Sequence, residues 1–160
     1  MLAAMDAHEH EFSERYSRHI RLPQLGLEGQ RRLQQARVLV VGIGGLGSPA
    51  ALYLASAGVG HLVVSDFDRV ELSNLQRQVI HREATIGELK AASARQALNA
   101  VNSSIEVTAI DWQLSDDELK GQAQQADVVL DCSDNFETRF ALNDICLSTA
   151  TPLVSGAAIR

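Results

Sequence analysis

A buried-strand pattern runs straight into a glycine-rich turn at VLVVGIGGLG, Val38 to Gly47, and no other stretch constrains the fold as tightly. Val38 to Val41 are apolar without alternation, which predicts a strand buried on both faces. Gly42, Gly44 and Gly47 come directly after it in the G-x-G-x-x-G spacing. The first glycine permits a tight reversal, the second lets backbone approach a phosphate with no Cβ in the way, and the third lets the next helix pack closely. Leu46 to Ala57 read as that helix, whose free N–H groups and positive dipole end face the loop and form a seat for phosphate oxygens. A second strand, His61 to Ser65, ends at Asp66, where the pattern puts a carboxylate for ribose hydroxyls. By itself the glycine spacing is a weak signal. With strand, helix and acid in place it implies nucleotide binding, against the plainer reading that the glycines serve only tight packing.

The rest of the chain alternates helices and strands, which predicts an α/β, Rossmann-like fold with a mostly parallel sheet, helices on both faces and extra helices at the N-terminus. Phe12 to Ile20 and Gly29 to Gln35 read as those first helices, separated by a connection with a proline and a glycine. Gly87 to Val101 reads as a long Ala-rich helix with Lys90 near its start, and Ile105 to Ile110 as a strand. Ser115 and Glu118 have capping-box spacing for a helix ending at Gln125. Asp127 to Asp131 is a further buried strand, Asn135 to Thr149 a further helix, and Thr151 to Ser155 a last buried strand. No linker divides these segments, so residues 13–160 are expected to form one domain behind a flexible start over 1–12. A buried strand with no covering element after it suggests a chain truncated at its C-terminus.

The start of the chain has no basic region leading into an apolar run, so neither a secretory signal nor a membrane span is expected, and the default address is the cytoplasm. Cys132 and Cys146 alone cannot make a disulfide framework or a complete cysteine zinc site. A net charge of −6 without a basic cluster argues against a nucleic-acid partner.

A plain dehydrogenase has no use for the polar connection beyond Asp66. DFDRVELSNLQRQ gathers Asp66, Asp68, Ser73, Asn74, Arg77 and Gln78 in one segment. Arg77 offers a planar fork for phosphate oxygens, and Asn74 both a donor and an acceptor. The alternative is a loop tied together by Asp–Arg pairs and turns. For Lys90 the alternative is an ordinary exposed lysine. The third cluster, DCSDNFETR at Asp131 to Arg139, comes after a strand and so can face the glycine loop across the ligand crevice of an open sheet. Asp134 there could hold Mg²⁺, which prefers one or two carboxylates plus substrate phosphates; equally, Asp134 or Asn135 could cap the next helix.

Together these motifs resemble the MoeB/ThiF/HesA family of ubiquitin-activating-enzyme-like adenylyltransferases. The likeness spans nearly the whole chain and rests on RYSRHI (Arg15 to Ile20), GIGGLG (Gly42 to Gly47), DFDRVELSNLQRQ, GELK ending at Lys90, DCSDN (Asp131 to Asn135) and the final PLVSGAAIR. The resemblance implies activation by ATP of the C-terminal Gly–Gly carboxylate of a ubiquitin-like sulfur-carrier protein, giving an acyl-adenylate and pyrophosphate, with sulfur then supplied by a separate donor protein. The small subunit of molybdopterin synthase is the expected carrier; thiamine-pathway and tRNA-thiolation carriers are the near variants, and an NAD-dependent oxidoreductase is the distant one. It further implies that Gly42, Gly44 and Gly45 line the phosphate loop and that Asp66 holds the ribose, with Asp68, Ser73 and Asn135 alongside. Asn74, Arg77 and Lys90 would contact phosphates and Asp134 would bind Mg²⁺. Arg18 would reach the ATP of a neighbouring subunit, which implies a homodimer. The family's structural zinc has no ligands in this chain. Neither cysteine matches the family's thioester position.

Overall fold

The computed structural model describes residues 7–157. Five parallel strands form one sheet in the order β3-β2-β1-β4-β5, with β1 at Arg37–Val41, β2 at His61–Ser65, β3 at Glu106–Ile110, β4 at Val128–Asp131 and β5 at Leu153–Ser155. The connection leaves β1 toward β2 on one side, and β4 returns to pair with the other side of β1. A crevice therefore opens at the carboxyl ends of β1 and β4, where the two halves of the sheet diverge.

Seven helices among the described residues surround the sheet: α1 Ala7–Arg15, α2 Ser17–Ile20, α3 Gly26–Gln35, α4 Gly47–Ala57, α5 Lys90–Val101, α6 Asp116–Gln125 and α7 Phe136–Thr149. Alternation along β1 sorts those that cover its faces. Val38 and Val40 join Leu62 and Val64 of β2 against Ala51 and Ala55 of α4 and Ala94 and Leu98 of α5. Leu39 and Val41 point the other way, with Val63 and Val129, onto Leu119 of α6 and Leu142 and Ile145 of α7. Both faces of β1 and β2 are thus buried, which is why their sequences are apolar throughout rather than alternating.

The expected elements are present, with four differences. The helix expected from Phe12 to Ile20 begins earlier, at Ala7, and breaks at Tyr16, whose buried ring packs on Gly58 and whose hydroxyl accepts from Asn102 Nδ2 at 2.8 Å. The flexible start expected over 1–12 falls partly on residues 1–6, outside the described residues; 7–12 are helical. The helix expected from Gly87 begins at Lys90. Gly87 has φ +90°, its N–H donates to the Val70 carbonyl, and Leu89 bridges Arg69, so backbone pairing with the preceding connection claims 87–89 first. Finally, β5 is a partly exposed edge strand rather than the fully buried one its composition suggests: Val154 and Ser155 are both exposed. Among the described residues no helix is long and apolar enough to cross a membrane.

Candidate functional site

The glycine turn is built by close approach of backbone to backbone. Gly42 has φ +89°, and a Cβ there would stand 2.8 Å from the Cys132 carbonyl oxygen of the neighbouring β4 turn. At Gly47 a Cβ would fall 1.9 Å from the Gly42 carbonyl oxygen, so the third glycine lets α4 start directly on the loop. A Cβ at Gly44 would instead meet only Gln78 Nε2, at 3.7 Å, and otherwise open space. That is the position where a phosphate can approach. No acceptor among the described residues takes the N–H of Gly44, Gly45 or Leu46, and α4 has no side-chain N-cap. Its positive end is left for an anion.

Asp66 is tied to this loop. Its Oδ2 accepts the Ile43 N–H at 2.8 Å and its Oδ1 accepts the Asp68 N–H at 3.0 Å. A carboxylate has about four lone-pair sites, so ribose hydroxyls can still be taken up. A cleft of about 370 Å³ opens here, lined by Gly42, Asp66, Phe67, Asp68, Asp134 and Asn135 among others. Its volume is within the ~300–1,000 Å³ usual for small-molecule sites. A second hollow of about 290 Å³, lined by Glu9, Arg15 and Arg31, has no member of the glycine loop on its wall.

The connection after Asp66 folds onto the same region. Leu72–Asn74 form a 3₁₀ turn in which Asn74 Oδ1 accepts the Glu71 N–H at 3.3 Å and Ser73 Oγ donates to Glu71 Oε2 at 3.1 Å. Arg77 lies across the glycine loop: its Cδ is 3.4 Å from where a Gly45 Cβ would be, and its Nη1 donates to the Ser73 carbonyl at 3.3 Å. Among the described residues no carboxylate pairs with it. Of the alternative, a loop tied by Asp–Arg pairs and turns, the turns are present at Leu72–Asn74 and hold Arg77 through the Ser73 carbonyl, but no Asp–Arg pair does.

Lys90 is a second correction, because it is not an exposed lysine. It opens α5 with its side chain 8% exposed, and its Nζ lies 2.8 Å from Asp68 Oδ2. Burial and a helix N-terminus both disfavour a cation. Asp68, itself 59% exposed at the cleft, offsets that penalty. Across the crevice, Asn135 is the N-cap of α7, with Oδ1 accepting the Thr138 N–H at 2.8 Å, whereas Asp134 is exposed on the cleft wall. The cap reading holds for Asn135 and leaves Asp134 free of that duty. Beneath them Asp131 is buried and fully engaged, by Ser133 and Ser155 hydroxyls at 2.6 Å each and by Arg139 at 3.7 Å.

Arg18 is not brought to this cleft. It is on α2, two residues from Tyr16, which packs on Gly58 at the opposite end of α4 from the glycine loop. Eleven helical residues separate those ends, roughly 16 Å at 1.5 Å per residue. Among the described residues there is no group of three or more His, Cys, Asp or Glu that could hold a metal ion. Cys146 is core, and burial pushes the Cys132 thiol up to about 11.

Two residues beside the loop have no role assigned by their sequence context. Gln78 is buried against Gly44 with its Oε1 unpartnered, and His81 donates from Nε2 to the Ile43 carbonyl at 3.2 Å. Gln78 is adjacent to Arg77, so its place in the connection is a signal. His81 has none, since its partners are 38 and 12 residues away.

The fold and the site define a nucleotide-binding protein of the Rossmann-like class, with free backbone N–H groups at the first turn and cations after the second strand. The sequence matches the ThiF family over residues 16–160, and the chain belongs to that family. It is 51% identical over 146 residues to the molybdopterin-synthase adenylyltransferase of Escherichia coli K12, an alignment covering 91% of this chain and 59% of that protein. It is 53% identical to the adenylyltransferase and sulfurtransferase MOCS3 of Mus musculus, covering 91% of this chain and 32% of that one. The chain thus spans 59% of the length of the first of these relatives and 32% of the second. The E. coli tRNA N6-threonylcarbamoyladenosine dehydratase TcdA in complex with ATP superposes with a TM-score of 0.85 at 27% identity, covering 99% of this chain and 65% of that one. E. coli MccB with AMPCPP and MccA superposes at 0.79 and 27% identity, covering 91% and 45%.

Proposed function

We propose that this chain is the nucleotide-binding part of an adenylyltransferase that activates the C-terminal Gly–Gly carboxylate of a ubiquitin-like sulfur carrier. The observation that carries the reading is Lys90, a buried ammonium at the start of α5, held beside the cleft by Asp68. A cation in that position is costly unless an anion needs it. The relatives named as adenylyltransferases and the neighbour solved with ATP support the same choice of anion.

In the reaction, a carrier carboxylate oxygen attacks the α-phosphorus of ATP; the new O–P bond forms as the bond to the β-phosphate oxygen breaks, and pyrophosphate leaves with that electron pair. Two anions meet, so the site must align them and neutralise charge rather than supply a nucleophile of its own. The free N–H groups at Gly44, Gly45 and Leu46 bind the phosphates, with Arg77, Asn74 and Lys90 spread along them. Asp66 holds the ribose hydroxyls. Asp134 would hold Mg²⁺, an exposed carboxylate suiting an ion that keeps waters and substrate phosphates as its other ligands. That ion supplies charge neutralisation on the phosphates. Arg18, remote from its own cleft, acts on the γ-phosphate of a partner subunit in a homodimer. A separate donor protein delivers sulfur to the acyl-adenylate, and the cytoplasm is the proposed address.

The test is carrier-dependent ATP–pyrophosphate exchange with Mg²⁺, run with small proteins ending in Gly–Gly from the molybdopterin, thiamine and tRNA-thiolation pathways. Exchange with the molybdopterin-synthase small subunit, abolished in Asp134→Ala, is the expected result. A chain that binds NADH but neither binds ATP nor exchanges pyrophosphate with any carrier overturns it.

A further inference from the structure

The glycine loop has its free N–H groups only because something turns its carbonyls the other way. The peptide joining Ile43 to Gly44 is trans, so its C=O and its N–H point in opposite directions. Whatever draws the Ile43 carbonyl inward pushes the Gly44 N–H outward. Two buried groups do so: His81 Nε2 at 3.2 Å and Ser48 Oγ at 3.3 Å. The preceding peptide is fixed as well, because Asp66 takes the Ile43 N–H at 2.8 Å.

A carbonyl only accepts, so His81 carries its proton on Nε2. Its Nδ1 is 3.0 Å from Ser93 Oγ on α5, and Ser93 Oγ is 3.1 Å from Thr85 Oγ1. His81 and Ser93 are 6% and 2% exposed, which leaves the ring little freedom to turn. The ring thus bridges the helix that carries Lys90 and the loop that seats phosphate.

We propose that His81 is the positioning residue of this site: its Nε2–H fixes the Ile43 carbonyl and thereby aims the Gly44 N–H at the bound phosphates, with Ser93 fixing the ring. It touches no nucleotide itself. The proposal rests on the ATP-binding reading above.

The experiment is ATP–Mg²⁺ titration of the full chain by calorimetry and by amide NMR, tracking the Gly44 N–H. His81→Gln keeps an amide donor at the reach of Nε2, while His81→Asn is too short to meet Ile43. One lost hydrogen bond to a group that orients the phosphate donor corresponds to about tenfold in ATP affinity. The expected result is that His81→Asn weakens ATP binding by about that factor and loses the ATP-induced Gly44 shift, while His81→Gln restores both. A structural role alone would move the melting temperature in both variants without separating them. His81→Asn that binds ATP as the wild type does, with the Gly44 shift intact, overturns the proposal. Should His81→Asn fail to fold, Ser93→Ala decides: weaker ATP binding with an altered Gly44 response supports it, and an unchanged response overturns it. Wild type that binds no ATP overturns the reading beneath it instead.

Discussion

The Lys90 ammonium stands 2.8 Å from the Asp68 carboxylate, yet only Asp68 reaches water: 59% of its side chain is exposed, against 8% for Lys90. The pair is asymmetric, with the buried member needing its partner more than the exposed one does. Asp68→Asn is expected to lower stability by roughly 1.5–3 kcal/mol, the range for a hydrogen bond to a charged group, because it leaves the ammonium uncompensated. Lys90→Met, which keeps the apolar stem, should leave stability unchanged or raised while slowing pyrophosphate exchange by about 10²–10³. Urea unfolding beside exchange assays checks both. A Lys90→Met variant that exchanges at the wild-type rate would sink the phosphate role.

Two of the motif glycines should fail in different ways. Gly47→Ala puts a methyl into the Gly42 carbonyl and is expected to cost at least about 1–3 kcal/mol, the overpacking range, with a matching fall in melting temperature. Gly44→Ala meets no obstacle within the protein closer than Gln78, so it should fold normally and lose ATP affinity instead. Calorimetric melting and ATP titration of the two variants separate these outcomes.

Asp134 and Asn135 are neighbours with different duties. Asn135→Ala removes the α7 cap and should cost about 0.5–2 kcal/mol. Asp134→Ala, at an exposed position, should stay within about 0.5 kcal/mol of wild type while abolishing carrier-dependent pyrophosphate exchange. Equal loss of stability in both variants would mean that Asp134 is structural.

Stability should fall in mild acid. Burial holds the pKa values of His81 and His61 below their ordinary value, with the Ile43 hydrogen bond and then Asp66 opposing and Lys90 adding at His81, and Arg37 adding and Glu106 opposing at His61. Below about pH 6.5 the unfolded chain binds protons that these folded histidines refuse, so unfolding becomes easier as pH drops through that point toward the folded values. Above it neither group contributes a slope. Melting temperatures from pH 8 to pH 5 should decline below about 6.5, and His81→Gln should decline less.

Cys132 should resist alkylation. Its thiol is raised to about 11 by burial first and by the Asp131 charge second, so almost no thiolate exists near neutrality. Iodoacetamide at pH 8 is expected to label it only after denaturation; rapid native labelling would contradict that environment.

Local order made much of this legible. The apolar runs at Val38–Val41 and His61–Ser65, the glycine spacing, the Ser115–Glu118 capping box and the acid at Asp66 act through neighbours in the chain, so their types and positions alone fix strand, turn and helix. The exposure of Lys90, the start of α5 and the break at Tyr16 were not legible, because Asp68, Val70 and Gly58 decide them from a distance. Sequence by itself determined the alternation of elements and the tight glycine turn, since both arise from backbone geometry within a few residues. Only the tertiary structure decided that Arg77 crosses Gly45, that Arg18 lies at the far end of α4, and that His81 holds the Ile43 carbonyl, because each depends on contacts that exist only once the strands have taken their order in the sheet.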